Sequence, residues 1–384
     1  MPPPWATVSD LSERPIFVCW ETTKACLLAC RHCRAKAIKK SLPGELTYEE
    51  GIALIDQLFD FGEPYTALLF TGGDPLMRPD IFDLIGYAKQ RGIYTAVAAS
   101  VTPKLNEESI TRLKDLGVDI MSVSLDGASP ANHDRLRGVS GTWSETLRAL
   151  QMARAVGLRV QVNTTVMRSN LNELADIFHL AKENGAVAWE VFFLIRTGRG
   201  ALLENPEPKE CEDVAHFLFD AACYGMPVRT AEGPHYRRVR IQRLKQGSVI
   251  AGALYARLAA RLRELDGEPT GPPSSRLVAT GDGKGILFVS HDGEVHPSGF
   301  LPQRLGKVPA ESMHHIYKSN PLLIALRDPS KLKGRCGTCE YRTICGGSRS
   351  RAFAEFQDPL EEDPACTYAP TGMETPLPLK AQLS

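Results

Sequence analysis

The chain has 384 residues, 43% hydrophobic and 23% charged, enough for one large core plus a smaller unit and ordinary for a globular protein. Lys and Arg (45) balance Asp and Glu (45), so no global field draws the chain to nucleic acid or a membrane surface. Met1-Pro-Pro-Pro-Trp5 lacks the charge and apolar core of a signal peptide, and no run reaches the length of a membrane span, so the sequence reads as cytoplasmic.

From residue 14 to 225, apolar runs alternate with amphipathic stretches. Ile16–Trp20 reads as a strand. Thr47–Phe61 reads as a helix, with Thr47 as N-cap, Glu50 completing a capping box, and Ile52, Leu54, Ile55, Leu58 and Phe59 at helical spacing. Strand and helix then alternate: Ala67–Phe70, Asp80–Arg91, Tyr94–Ala98, Asn106–Leu116, Ile120–Leu125, Trp143–Val156, Arg159–Val166, Leu171–Asn184 and Ala188–Ile195. Six such repeats predict an α/β fold, a partial (β/α)6 TIM-like barrel whose chemistry sits at the C-terminal ends of the strands. Residues 226–275 read as a basic helical connector, ending in Gly271-Pro-Pro-Ser-Ser275 as a linker. In 276–370, Gly285–Ser290 and Glu294–His296 flank His291-Asp292-Gly293, a hairpin signal because Asp-Gly tolerates positive φ.

Ten cysteines are too few for a secreted disulfide scaffold, and their clustering points to metal. Cys26, Cys30 and Cys33 form C-x3-C-x2-C after the first strand. Three thiolates can hold three irons of a [4Fe–4S] cube and leave the fourth open to a ligand. The alternatives are zinc with His32 as fourth ligand, or three unrelated cysteines. Cys336, Cys339, Cys345 and Cys366 form a second group, C-x2-C-x5-C-x20-C, whose spacing suits either a closed [4Fe–4S] cluster or structural zinc. Cys19, Cys211 and Cys223 read as core residues.

Cys26-Leu-Leu-Ala-Cys30-Arg-His-Cys33, followed by Thr71-Gly72-Gly73-Asp74-Pro75 after the second strand, resembles the radical S-adenosylmethionine (radical SAM) superfamily. The resemblance implies that the open iron chelates S-adenosylmethionine, and that one-electron reduction cleaves it to a 5′-deoxyadenosyl radical. It also implies that His32 lies near adenine and that Gly72, Gly73, Asp74 and Pro75 approach the methionyl amino group. Ser124, Asp126, Arg137 and Asn163 are carried over as further cofactor contacts, with strand-end turns and a surface arginine as the plain alternatives. His32 and Asp74 stand where the family often has an aromatic residue and Glu. Beside such a barrel the second cysteine group resembles the SPASM/Twitch extensions, implying one auxiliary [4Fe–4S] cluster.

Cys336-Gly-Thr-Cys339-Glu-Tyr-Arg-Thr-Ile-Cys345-Gly-Gly, with Glu362-Asp363-Pro364-Ala-Cys366 and His296-Pro-Ser-Gly-Phe-Leu-Pro302, looks like the haem-biosynthesis branch of that superfamily. This implies oxidative decarboxylation of tetrapyrrole propionates, with an electron donor such as ferredoxin or flavodoxin. On that reading Arg237, Arg238, Arg240 and Arg243 pair with substrate carboxylates and His235 approaches a bound iron; the alternative is a solvated helix face and a packed turn residue. Two other functions stay open: maturation of a ribosomally made short peptide, and a non-enzymatic zinc or iron–sulfur scaffold.

Overall fold

The computed structural model describes residues 11–247, 251–274 and 278–371. Met1–Trp5, Ser275 of the linker, and the first residues of the 276–370 segment lie outside the described residues.

Ten strands form one sheet. In chain order they are β1 (Phe17–Glu21), β2 (Ala67–Thr71), β3 (Thr95–Ala98), β4 (Ile120–Ser124), β5 (Val160–Val166), β6 (Ala188–Phe193), β7 (Val228–Ala231), β8 (Ile286–Val289), β9 (Glu294–His296) and β10 (Gly306–Lys307). Their spatial order is β10-β9-β8-β1-β2-β3-β4-β5-β6-β7. Every pair from β8 through β7 is parallel, and β8–β9 and β9–β10 are antiparallel. The six expected strands are present and the sheet stays open, as a partial barrel requires. Four more strands extend it: β7 follows β6 inside the stretch read as connector, and β8 from the C-terminal segment pairs with β1 and carries β9 and β10. The four residues Val-Arg-Thr-Ala of β7 are too short and too polar to stand out as a buried strand.

The intervening helices are α1 (Tyr48–Asp56), α2 (Ile81–Gln90), α3 (Glu107–Asp115), α4 (Pro130–Arg137), α5 (Thr142–Ala155), α6 (Leu174–Glu183), α7 (Pro208–Ala221), α8 (His235–Gln246) and α9 (Ala253–Asp266). Thr47 caps α1 and Glu50 closes the capping box, worth about 1 kcal/mol; the last turn, Gln57–Phe61, tightens to a 3-10 helix. Helix α4 was not expected. Ser129-Pro130 starts it and Gly138, at φ +71°, ends it.

Side-chain alternation decides what each sheet face does. Val18, Trp20, Leu68, Phe70, Val97, Met121, Val123, Val162, Trp189, Val191 and Phe193 are buried in the main core. The alternate residues, among them Cys19, Ala96, Ser122, Gln161, Asn163 and Glu190, line a cavity. The opposite face is therefore not a second core but the wall of an internal chamber, and Cys19 belongs to that wall rather than to the core. No helix among the described residues is long and apolar enough to cross a membrane.

Candidate active site

The first cysteine group lies on the loop after β1. Cys26 and Cys30 pack with Leu28 and Ala37, and Cys33 lies against them. Each sulfur accepts a hydrogen bond: Cys26 from the Leu28 amide (3.4 Å), Cys33 from the Ala37 amide (3.4 Å) and Cys30 from Arg137 Nη1 (3.7 Å). Burial first of all raises the thiols, Cys26 to about 11 and Cys30 in the same direction. They become thiolates when a metal replaces the proton.

Backbone bonds fix the loop from behind. Ala29 and Arg31 donate to the Arg137 and Leu136 carbonyls at the end of α4. Arg199, after β6, donates from Nε to the Cys30 carbonyl (2.7 Å) and from Nη1 to the Ala37 carbonyl (3.0 Å). Arg199 escaped the sequence reading because an arginine far along the chain shows no link to the cysteine motif.

The Gly72-Gly73 turn closes against the same loop. Gly73 and Asp74 amides donate to the Thr23 and Ala25 carbonyls (2.8 and 2.7 Å), and a Cβ on Gly73 would lie 2.4 Å from the Ala25 oxygen. This close approach explains the glycine. Asp74 is fully buried; Thr102 Oγ1 (2.8 Å) and the Leu76 amide (3.2 Å) occupy its carboxylate, and burial raises it to about 6. Its carboxylate braces the turn, and Pro75 starts the following 3-10 turn.

Asp126, just past β4, is also fully buried and pairs with Arg137. The Thr165 amide donates to it (2.7 Å) and His32 Nε2 lies 3.6 Å away. Burial alone would raise this carboxyl; Arg137, then His32 and His133, hold it below the usual range. Burial lowers His32 to about 4, so the ring is neutral. Arg137 is thus no surface arginine but a link between Asp126 and Cys30. Ser124 ends β4 opposite Asn163 in register, and Asn163 accepts from Gln161 (2.8 Å) on the chamber wall.

The second cysteine group follows α10 (Met313–Ser319) and α11 (Pro321–Arg327): Cys336 lies on α12 (Gly334–Thr338), Cys339 and Cys345 on the segment after it, and Cys366 beyond α13 (Arg349–Phe356). Cys336, Cys339, Cys345 and Cys366 all line one small cavity, together with His235, Arg238, Arg335 and Arg342. The Asp363 amide donates to Cys336 Sγ (3.4 Å) and the Tyr341 amide to Cys339 Sγ (3.4 Å). Among the described residues, no three His, Cys, Asp or Glu side chains gather around one point as a single ion would require.

His235, Arg237 and Arg238 are buried, and Arg240 and Arg243 are half-buried, so the solvated-face alternative fails for these residues. His235 and Arg238, three apart on one helical face, turn toward the second cysteine group. His235 Nε2 donates to the Cys211 carbonyl (3.2 Å) and the ring packs on Phe193; burial holds it near 4. Arg238 forms a two-pronged pair with Glu212 (2.8 and 2.5 Å). Arg243 pairs with Asp220 and Arg240 reaches the Pro273 carbonyl. Arg237 alone of these lies on the chamber wall, pinned by the Ile344 and Thr280 carbonyls (3.1 and 2.6 Å).

The chamber has a volume of about 390 Å³, within the range of small-molecule sites. Arg34, next to Cys33, lies at one edge, paired with Glu21 (2.9 Å) and stacked 4.5 Å from the Phe288 ring. Cys345, shared with the second cysteine cavity, lies on another wall. The chamber therefore spans the space between the two cysteine groups.

An open parallel barrel with a cysteine triplet and a glycine turn at its strand ends defines a class. The radical SAM superfamily model matches residues 20–181. The chain is 36% identical to the AdoMet-dependent heme synthase of Nitratidesulfovibrio vulgaris, covering 96% of both chains. It is 35% identical to that of Methanosarcina barkeri over 94% of this chain and 98% of the relative. The crystal structure of Streptococcus suis SuiB bound to precursor peptide SuiA shares the fold, with a TM-score of 0.69 at 15% identity over 93% of this chain and 76% of that one. The chain belongs to the radical SAM superfamily, and membership implies a [4Fe–4S] cluster and S-adenosylmethionine.

Proposed function

We propose that the chain oxidises propionate side chains of an iron-bearing tetrapyrrole, releasing carbon dioxide and leaving vinyl groups. On this reading Cys26, Cys30 and Cys33 hold the first cluster, and Cys336, Cys339, Cys345 and Cys366 hold a second [4Fe–4S] cluster. Residues 14–225 form the radical SAM barrel, 226–275 the connector and 276–370 the SPASM/Twitch unit. A thiol ring around a cavity suits a four-iron cube better than one zinc, which draws its sulfurs to about 2.3 Å.

The observation that carries the reading is the chamber itself, reached by Arg34 beside one cysteine group and by Cys345 of the other. When bound, the reduced cluster and S-adenosylmethionine supply a 5′-deoxyadenosyl radical that takes a hydrogen atom from the substrate. A propionate that has lost this atom sheds carbon dioxide and one electron, and the second cysteine group provides the place for the acceptor. Arg237, held by carbonyls and not by a carboxylate, supplies positive charge for substrate carboxylates, whereas Arg34 is paired with Glu21; Phe192, Phe288 and Phe300 supply flat apolar wall. Arg229 spends its charge on Glu190 (2.9 Å). The names of the AdoMet-dependent heme synthases support the tetrapyrrole over a peptide.

The test is anaerobic reconstitution, iron counting, and product analysis with S-adenosylmethionine, dithionite and iron coproporphyrin. About eight irons per chain and stepwise mass losses of carbon dioxide are expected. Nucleoside release stimulated by short peptides but not by the porphyrin would overturn the substrate assignment.

A further inference from the structure

One buried cation beside the second cysteine group stands without a counter-ion. Arg349 is the first residue of α13 and is 5% exposed. Its Nη1 donates to the Pro359 and Glu361 carbonyls (2.9 and 2.6 Å) and its Nε to the Gly347 carbonyl (3.2 Å). Its Nη2 donates to Cys336 Sγ (3.7 Å). Among the described residues it makes no ion pair. The carboxylates of the adjoining segment are engaged elsewhere: Asp358 and Glu361 with Lys333, Glu362 with Arg335, and Asp363 with Arg351.

A buried charge without a counter-ion is costly, and at the first position of a helix it also opposes the macrodipole. The chain nonetheless makes room for it. At Gly347, with φ +66°, a Cβ would meet Arg349 Nη2 at 2.5 Å and Cys336 Sγ at 2.9 Å. As a thiol, Cys336 is neutral and does little for the guanidinium. Filled with a four-iron cluster, the site carries four thiolates that outweigh the charge of the iron–sulfur core, and the cation gains its partner. The guanidinium that reaches a sulfur of the first group differs, because Arg137 is already paired with buried Asp126.

We propose that Arg349 is the countercharge of the second cluster and raises that cluster's affinity for an electron. The inference rests on the assignment of a four-iron cluster to Cys336, Cys339, Cys345 and Cys366. Reduction adds one negative charge to the site, and a fixed positive charge in a low dielectric favours the reduced form. Arg238 and Arg335 line the same cavity but are paired with Glu212 and Glu362, so much of their field is cancelled. In the proposed reaction the substrate radical gives up one electron as carbon dioxide leaves, and the second cluster takes that electron. Arg349 touches neither substrate nor reacting atoms; it acts through the cluster.

The experiment compares wild type, Arg349→Gln and Arg349→Lys, reconstituted anaerobically, with iron counted and reduction potentials read by EPR-monitored titration. Arg349→Gln keeps a hydrogen-bond donor and removes the charge. The second cluster's midpoint is expected to fall by at least about 59 mV, a tenfold loss in the equilibrium for taking up one electron. Arg349→Lys keeps the charge and should recover most of that shift. The first cluster's midpoint, read in the same titration, should not move. Equal second-cluster midpoints in wild type and Arg349→Gln, the same shift in Arg349→Lys, or loss of the second site's iron from Arg349→Gln would overturn the proposal. About four irons plus one zinc in the wild type would instead sink the cluster assignment beneath it.

Discussion

Removing Arg137 should cost the fold more than the loss of one ion pair suggests. Asp126 is fully buried beside it, with the Thr165 amide as a remaining donor. Arg137→Ala therefore leaves a buried carboxylate without its counter-ion, a change worth about 3–5 kcal/mol. The sign with pH follows from the partners. In the wild type Asp126 titrates below its usual range, so its contribution is present above the unfolded carboxylate range and is lost only in strong acid. Without Arg137, burial dominates and the carboxyl titrates above its unfolded value. The folded variant then gains stability by taking up a proton as pH falls. Anaerobic urea denaturation at pH 8 and pH 5.5 should show the gap between wild type and variant shrinking toward acid. Arg137→Gln/Asp126→Asn should recover most of the loss, because two neutral partners replace an orphaned charge. A variant within about 1 kcal/mol of wild type at both pH values would refute the reasoning.

Gly73→Ala should push the β2 turn off the cysteine loop, since the new Cβ would meet the Ala25 oxygen at 2.4 Å; iron at the first site should fall sharply while the second site stays loaded, by Mössbauer spectroscopy. Cys345→Ala should leave about four irons per chain and keep deoxyadenosine release while vinyl product disappears. Burial, then the Asp282 carboxylate, raise Glu232 to about 8. The folded chain then keeps a proton that the unfolded chain gives up, so stability should decline as pH rises from the ordinary glutamate range to about 8. Glu232→Gln should flatten that slope in denaturation curves taken across it.

Much was legible from local pattern alone. Period-2 and period-3.6 apolar spacing located six strands and the larger helices, because each had to bury one face. Cysteine spacing separated the two cysteine groups, since groups meant to meet at one point can be brought together locally by short loops. The capping box at Thr47 and the Asp-Gly hairpin turn are similarly decided within a few residues. What escaped was set by partners distant in sequence. β7 is a strand because β6 offers it an edge. Arg199 braces the cysteine loop from more than 160 positions away. The basic run on α8 could not be divided by composition; helix rotation sends His235 and Arg238 to one cavity and Arg237 to another. The motif did not show that Asp74's carboxylate braces its own turn or that Arg137 ties Asp126 to Cys30. Chain-local chemistry thus specifies which groups are present and where the backbone must turn. The chamber between the cysteine groups exists only after the sheet curves and β8 closes beside β1, because a cavity is a relation among surfaces that no single segment carries.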